Sequence, residues 1–113
     1  SYPPCRRITA LRLKDGMDES VFSAYRVSAL LLDAYVPDKF GGTGQCCDWV
    51  RATEVASRNR LILAGGLNPE NVSDAVRQVR PYGVDVSSGV EKRPGQKDPE
   101  KVATFIRMAR ELF

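Results

Sequence analysis

Residues 61–76, LILAGGLNPENVSDAV, place a strand, a glycine turn and a helix in one run of sequence. The uninterrupted apolar run Leu61–Ala64 is typical of a strand covered on both faces in a parallel sheet. Asn68-Pro69 then gives an N-cap with proline just inside a helix, and the apolar residues from Val72 to Val79 recur at helical spacing. The glycine pair Gly65-Gly66 lies between the two elements, at the carboxyl end of the strand.

The same succession of strand, turn and helix occurs three more times. Strands are predicted at 8–13, 29–32 and 83–86, and further helices near 18–25, 48–57 and 98–112. Strand and helix alternating at a spacing of roughly 25 residues indicates right-handed parallel βαβ units, so residues 1–113 are expected to form a single (βα)4 unit of the α/β class. The pattern alone fits either part of a (β/α)8 barrel or a small doubly wound sheet.

Length and composition restrict the class of protein. The chain has 113 residues, of which 42% are hydrophobic and 27% charged, within the ordinary range for a soluble globular domain. A complete (β/α)8 barrel usually needs roughly 250 residues, so this chain would be about half of one. Since no apolar stretch approaches the ~20 residues of a membrane span and no secretory leader is recognisable, a cytoplasmic protein without a membrane partner is expected.

Charge and cysteine usage exclude several functions. The net charge of +3 is spread along the chain without a basic stripe, which gives a weak preference for anionic ligands and argues against nucleic acid. There is no histidine and no CxxC pair among Cys5, Cys46 and Cys47, so neither a zinc site nor a His-dependent nucleophile is expected. Cys46 and Cys47 lie near a helix start, where a thiolate would be stabilised, but buried packing is the commoner outcome.

Turns rich in glycine and hydroxyl groups follow three consecutive strands. They are Gly41-Gly42-Thr43-Gly44, Gly65-Gly66 and Ser87-Ser88-Gly89. Carboxyl ends of parallel strands share one edge of the sheet, where backbone N–H groups of such turns can surround an anion. Barrels frequently hold a phosphate in the loops after the seventh and eighth strands, so the last two turns favour phosphate binding. For the first turn, a flexible surface loop is an equally good interpretation.

Two aspartates are placed at strand ends. Asp33 follows the apolar run Ala29–Leu32, where partial desolvation favours the protonated form of a general acid, although a turn-capping role is the alternative. Asp85 lies between Val84 and Val86, so its side chain faces the opposite side from theirs. If those valines contact the helices, Asp85 points into the barrel, where a structural hydrogen bond and a functional role are nearly equally expected.

Four ordered motifs resemble one known family. They are Leu31-Leu32-Asp33, Gly41-Gly42-Thr43-Gly44 with Asp48-Trp49, the segment 63–72, and Gly83 to Glu91 with the string GVDVSSGVE. In this order and spacing they are similar to phosphoribosylanthranilate isomerase, from its fifth strand to its C-terminus. The resemblance implies the C-terminal half, (βα)4, of a TIM (β/α)8 barrel with parallel strands.

The resemblance also implies a reaction and its residues. The family converts phosphoribosylanthranilate to carboxyphenylamino-deoxyribulose phosphate in tryptophan biosynthesis, by an Amadori rearrangement that needs neither cofactor nor metal. Asp33 matches the general acid that protonates the ribose ring oxygen, and Asp85 an active-site position on the last strand. The phosphate site is implied at Gly42, Thr43, Gly44, Gly65, Gly66, Ser87, Ser88 and Gly89.

The sequence departs from the family pattern in two respects, and two alternative functions stay open. The family's general base, a cysteine on the first strand, and an arginine on the second belong to an N-terminal half that the resemblance does not cover, and Gln45-Cys46-Cys47 replaces an expected Lys-Thr-Phe. This chain alone is therefore expected to be inactive, with the N-terminal half or a second copy of itself as its partner. The alternatives are a non-catalytic half-barrel that folds by association and binds phosphate, and another phosphate-binding barrel such as the histidine-pathway sugar isomerase.

Overall fold

The computed structural model describes residues 8–12, 29–36 and 47–110. Four strands form a parallel sheet: β1 (Ile8–Arg12), β2 (Ala29–Asp33), β3 (Leu61–Ala64) and β4 (Gly83–Val84). Three helices accompany it: α1 (Trp49–Ala56), α2 (Val72–Val79) and α3 (Pro99–Arg110). A 3-10 turn (Ser88–Val90) and an antiparallel hairpin of β5 (Glu91–Arg93) and β6 (Gln96–Lys97) connect β4 to α3.

The order of the strands decides between the two topologies that the sequence left open. Each strand pairs with the next one in the chain, in the order β1-β2-β3-β4. A doubly wound sheet reverses its order at a switch point, whereas a barrel sheet continues in one direction. Because right-handed crossovers that continue in one direction place every helix on the same face, this sheet is of the barrel type.

The core lies between that helical face and the sheet. Leu30 and Leu32 of β2 and Leu61 and Leu63 of β3 are almost fully buried there. The apolar side of α2 packs into the same cluster, with Val72 and three further buried residues of this helix: Ala75, Val76 and Val79. Full burial of such a side chain stabilises the fold by roughly 1.5–3 kcal/mol, so this layer holds the helices to the sheet.

The opposite face of the sheet is also apolar but less covered. Ala10 pairs with Leu31, and Leu31 pairs with Ile62, so these side chains share one face. Leu31 and Ile62 are half-buried and Ala10 is exposed. Within the described residues, the inner face of the barrel-type sheet therefore lacks the cover that the helices give to the outer face.

Side-chain caps define where two helices begin. The carboxylate of Asp48 accepts a hydrogen bond from the Arg51 N–H at 3.1 Å and precedes α1. Asp98 accepts from the Glu100 N–H at 2.9 Å and precedes α3. The predicted helix starts at these two aspartates agree with the structure to within a residue.

Other predicted boundaries shift. The described part of β1 ends at Arg12, and the predicted last residue, Leu13, lies outside the described residues. β2 extends to include Asp33, and β4 ends at Val84 instead of Val86, although the Asp85 N–H still donates to the Leu63 carbonyl at 2.8 Å. The hairpin of β5 and β6 replaces a predicted loop around Pro94-Gly95. The predicted helix near 18–25 and the end of the last helix beyond Arg110 lie outside the described residues.

Candidate functional site

A cavity of about 440 Å³ opens at the carboxyl edge of the sheet, between the ends of β2, β3 and β4. It is lined by Asp33, Tyr35, Ala64, Gly65, Gly66, Leu67, Asp85, Val86, Ser87, Ser88 and Gly89. The structure thus brings seven of the predicted site residues into one cavity. The other three, Gly42, Thr43 and Gly44, lie outside the described residues.

Asp33 occupies the wall of the cavity at the end of β2. Its Oδ1 accepts a hydrogen bond from the Tyr35 N–H at 3.0 Å, and its side chain is half-buried. The neighbouring Ala34 N–H donates to the Ala64 carbonyl at 3.0 Å, which ties the end of β2 to β3. The carboxylate therefore has the turn-capping contact that sequence analysis kept as an alternative, and it also faces the cavity.

The turn after β3 approaches Asp33 so closely that only glycine fits. Gly65 has φ +91°, and a Cβ there would overlap Asp33 Oδ1 and lie 2.8 Å from the Tyr35 nitrogen. Gly66 has φ +69°, and its Cβ would lie 2.6 Å from Cys47 Sγ. The buried Cys47 thiol in turn donates to the Gly65 carbonyl at 3.4 Å, so this cysteine packs beneath the turn. The glycine pair is required by close approach as well as by backbone angle.

Two asparagines fix the shape of that turn. Asn71 Nδ2 donates to the Gly66 carbonyl at 2.9 Å, while Asn71 Oδ1 accepts from the Asn68 N–H at 2.8 Å. Asn68 Oδ1 accepts from the N–H groups of Glu70 and Asn71, both at 2.9 Å. Asn68 was predicted as a cap, but the role of Asn71 was missed. The Asn-Pro-Glu-Asn string was its only signal in the sequence.

The turn after β4 meets the turn after β3. A Cβ at Gly89 would overlap the Leu67 carbonyl oxygen, so glycine is needed for this backbone contact. The Val90 N–H donates to the Ser87 carbonyl at 3.4 Å, a bond that does not use the N–H groups of Ser88 and Gly89. These two N–H groups and the exposed Ser87 and Ser88 side chains belong to residues that line the cavity.

Asp85 has the orientation that its position between two valines predicted. Val84 and Val86 pack against the core cluster, and Asp85 is exposed on the cavity side. Sequence reasoning missed Tyr35 as a lining residue, although its spacing of two from Asp33 places it on the same face of an extended segment. Arg12 pairs in register with Asp33 and so shares its face of the sheet, but it does not line the cavity.

Across residues 8–12, 29–36 and 47–110, no three His, Cys, Asp or Glu side chains are grouped so that they could hold a metal ion. None of the described helices has the length and apolar character needed to cross a membrane.

A parallel sheet in barrel order with its cavity at the carboxyl edge defines a (β/α)-barrel type of protein whose ligand site is built from strand-to-helix turns. A family model described as N-(5'-phosphoribosyl)anthranilate (PRA) isomerase matches residues 3–108. The chain therefore belongs to the phosphoribosylanthranilate isomerase family.

Individual relatives agree with this assignment. The N-(5'-phosphoribosyl)anthranilate isomerase of Pelobacter propionicus is 52% identical over 94% of this chain and 51% of its own length. The solved structure of the isomerase from Thermotoga maritima has a TM-score of 0.76 at 43% identity, over 93% of this chain and 51% of that one. A structure of the isomerase in complex with reduced 1-(o-carboxyphenylamino)-1-deoxyribulose 5-phosphate has a TM-score of 0.70 at 38% identity, over 93% and 48%. The chain spans about half the length of the relatives it matches.

Proposed function

We propose that the chain supplies the phosphate site and the general acid of a phosphoribosylanthranilate isomerase, as the C-terminal (βα)4 half of a (β/α)8 barrel. The observation that supports this most directly is that Asp33 and two glycine turns line one cavity. Barrels frequently hold phosphate after strands seven and eight, so the composition of the turns after β3 and β4 supports the proposal that these two strands are the last of a barrel. The match to about half of each relative supports the same division.

The substrate's phosphate would bind between the two turns. Ser88 and Gly89 offer N–H groups that the 3-10 turn does not use, and the N–H groups of Gly65 and Gly66 lie on the facing turn. Hydroxyl groups of Ser87 and Ser88 add donors at the same edge. Gly42, Thr43 and Gly44 lie outside the described residues and stay a prediction. The phosphorylated ligand named for the 38% identical relative is of the expected class.

Asp33 would transfer a proton to the ribose ring oxygen as the ring opens. The Tyr35 N–H holds Oδ1 at 3.0 Å, which fixes the orientation of the carboxyl group and leaves Oδ2 for the transferred proton. Asp85 lies across the cavity and would contact the opened sugar. The reaction then needs a base at the neighbouring carbon, which we assign to the N-terminal half.

Titration with inorganic phosphate, followed through backbone amide shifts, tests the site. We expect the Gly66 and Gly89 resonances to move at millimolar phosphate, while the Gly95 resonance stays in place. Gly95 is a suitable control because it lies in the hairpin tip with no heavy atom within 4 Å of its Cβ position. Unmoved Gly66 and Gly89 resonances would contradict the proposal.

The second candidate is a half-barrel that folds by association without catalysis. It is favoured by the half-buried apolar side chains Leu31 and Ile62 on the inner face. Four parallel strands that do not close on themselves also leave two strand edges, which favours pairing with another half. We therefore propose that the chain pairs with an N-terminal half or a second copy of itself, and that it has negligible isomerase activity alone. A cytoplasmic location stays a prediction.

A further inference from the structure

Lys97 of β6 contacts the backbone of the turn after β4. Its Nζ donates a hydrogen bond to the Ser87 carbonyl at 2.9 Å and forms an ion pair with Glu91 Oε2, also at 2.9 Å. Glu91 and Lys97 are register partners across the hairpin. The Lys97 side chain is 50% exposed and that of Glu91 only 16% exposed, so the more buried carboxylate holds the ammonium group in position.

The hairpin is itself attached to the start of α3. Lys101 Nζ donates to the Glu91 carbonyl at 3.1 Å, and the Asp98 N–H donates to the Val90 carbonyl at 2.8 Å. These bonds connect the N-terminal end of α3 with the start of β5, at Val90 and Glu91. The position of the Lys97 ammonium is therefore determined by the hairpin and by α3 together.

The hydrogen bond from Lys97 orients the peptide group that joins Ser87 and Ser88. The carbonyl of Ser87 and the N–H of Ser88 belong to one planar trans peptide, in which the two groups point in opposite directions. Lys97 holds the carbonyl toward the hairpin, so the Ser88 N–H is turned away from it. Ser87 and Ser88 both line the cavity. A charged donor on the carbonyl also polarises the peptide and makes its N–H a stronger donor.

We propose that Lys97 is a positioning residue for phosphate binding: it orients and polarises the Ser87–Ser88 peptide so that the Ser88 N–H is presented to the ligand. The inference rests on the proposed phosphate site. It assigns a function to a lysine that lies beyond the turn and does not line the cavity. The Ser87 carbonyl is thus held both by the Val90 N–H within the 3-10 turn and by the Lys97 ammonium group from outside the cavity.

Substitution of Lys97 in the full chain tests this role with inorganic phosphate as the probe. Lys97→Met keeps the approximate length of the side chain but removes the ammonium. We expect phosphate affinity to fall between roughly fivefold and tenfold, which is below the range for a charged hydrogen bond because Lys97 is half exposed. Lys97→Arg keeps a charged donor and should retain affinity to within about twofold. Lys92→Met removes the same charge from an exposed position of the same hairpin and should leave affinity nearly unchanged.

Amide shifts separate positioning from a general structural effect. In Lys97→Met the phosphate-induced shift at Ser88 should shrink, whereas those at Gly65 and Gly66 should persist. If Lys97→Met and the wild-type chain bind phosphate equally and shift Ser88 equally, the role of Lys97 is refuted while the phosphate site stands. If Lys92→Met weakens binding as much as Lys97→Met, the effect is one of net charge and the inference is wrong. If the wild-type chain shows no shifts at all, the proposed site fails and the inference with it.

Discussion

Gly65→Ala should destabilise the protein by two separable effects. At φ +91° an L-residue is in the left-handed half of the map, which costs on the order of 1–2 kcal/mol. The new Cβ would also overlap Asp33 Oδ1 and lie 2.8 and 3.0 Å from the backbone nitrogens of Tyr35 and Ala34, so β2 and β3 must separate at their ends. Forced shifts of this kind add about 1–3 kcal/mol, and we expect a total loss of roughly 3 kcal/mol in the free energy of unfolding.

Gly95→Ala is the matched control for the backbone effect alone. Gly95 has φ +80°, but no heavy atom lies within 4 Å of its Cβ position. Its loss should be about 1 kcal/mol or less, because alanine also lowers the entropy of the unfolded chain. Urea denaturation of both variants at the same protein concentration gives the two free energies. Equal losses would show that the turn does not approach Asp33 as described, and would refute the reasoning from close contact.

Two further predictions concern activity and assembly. In a complex that supplies the N-terminal half, Asp33→Asn should lower turnover by orders of magnitude with binding largely intact, because the amide keeps the shape but has no proton to transfer. Asp74→Asn, at an exposed ion pair on α2, is the control. Near-normal turnover in Asp33→Asn would remove this residue from the mechanism. Light scattering should show that the isolated chain is an oligomer, most simply a dimer, and a folded monomer would contradict this expectation. An assay that follows the fluorescent anthranilate substrate should show negligible turnover, and measurable turnover by the chain alone would contradict that expectation.

The local pattern of the sequence was enough to place the four strands of the parallel sheet, though not the end of β4, and the two described turns that line the cavity. Leu61–Ala64 is a strand as predicted, and the parity of Asp85 between two valines gave its orientation. The barrel order of the strands required the structure, because alternation of strand and helix is the same in both topologies. The family resemblance chose the barrel correctly, on motifs rather than on periodicity.

What the sequence could not give depends on contacts between distant segments or on weak local signals. The hairpin of β5 and β6 is short, polar and mostly exposed, so it has no apolar alternation to predict it. The predicted helix after Asn68 begins instead at Val72, because the Asn68 side chain accepts from two backbone N–H groups and holds the intervening residues in a turn. The contact of Gly65 with Asp33 joins residues at the ends of two different strands, so a local sequence pattern cannot predict it.

The sheet register supports our proposal that this half of a barrel holds the phosphate and the acid, and the other half the base. Asp33 pairs with Ala64, the residue before Gly65, so the proposed acid lies one strand away from the first phosphate turn and two from the second. Gly65 of the first turn lies in contact with the Asp33 carboxylate, whereas the second turn, two strand spacings of about 4.8 Å away, lies roughly 10 Å from it. A ribose phosphate fits this span, because its ring oxygen is only a few bonds from the phosphate and each end adds one hydrogen bond of about 3 Å. The carbon that loses its proton lies on the side of the sugar away from the phosphate. We therefore propose that the base lies on a strand of the other half of the barrel, because the described strand ends lie on the phosphate side of the sugar.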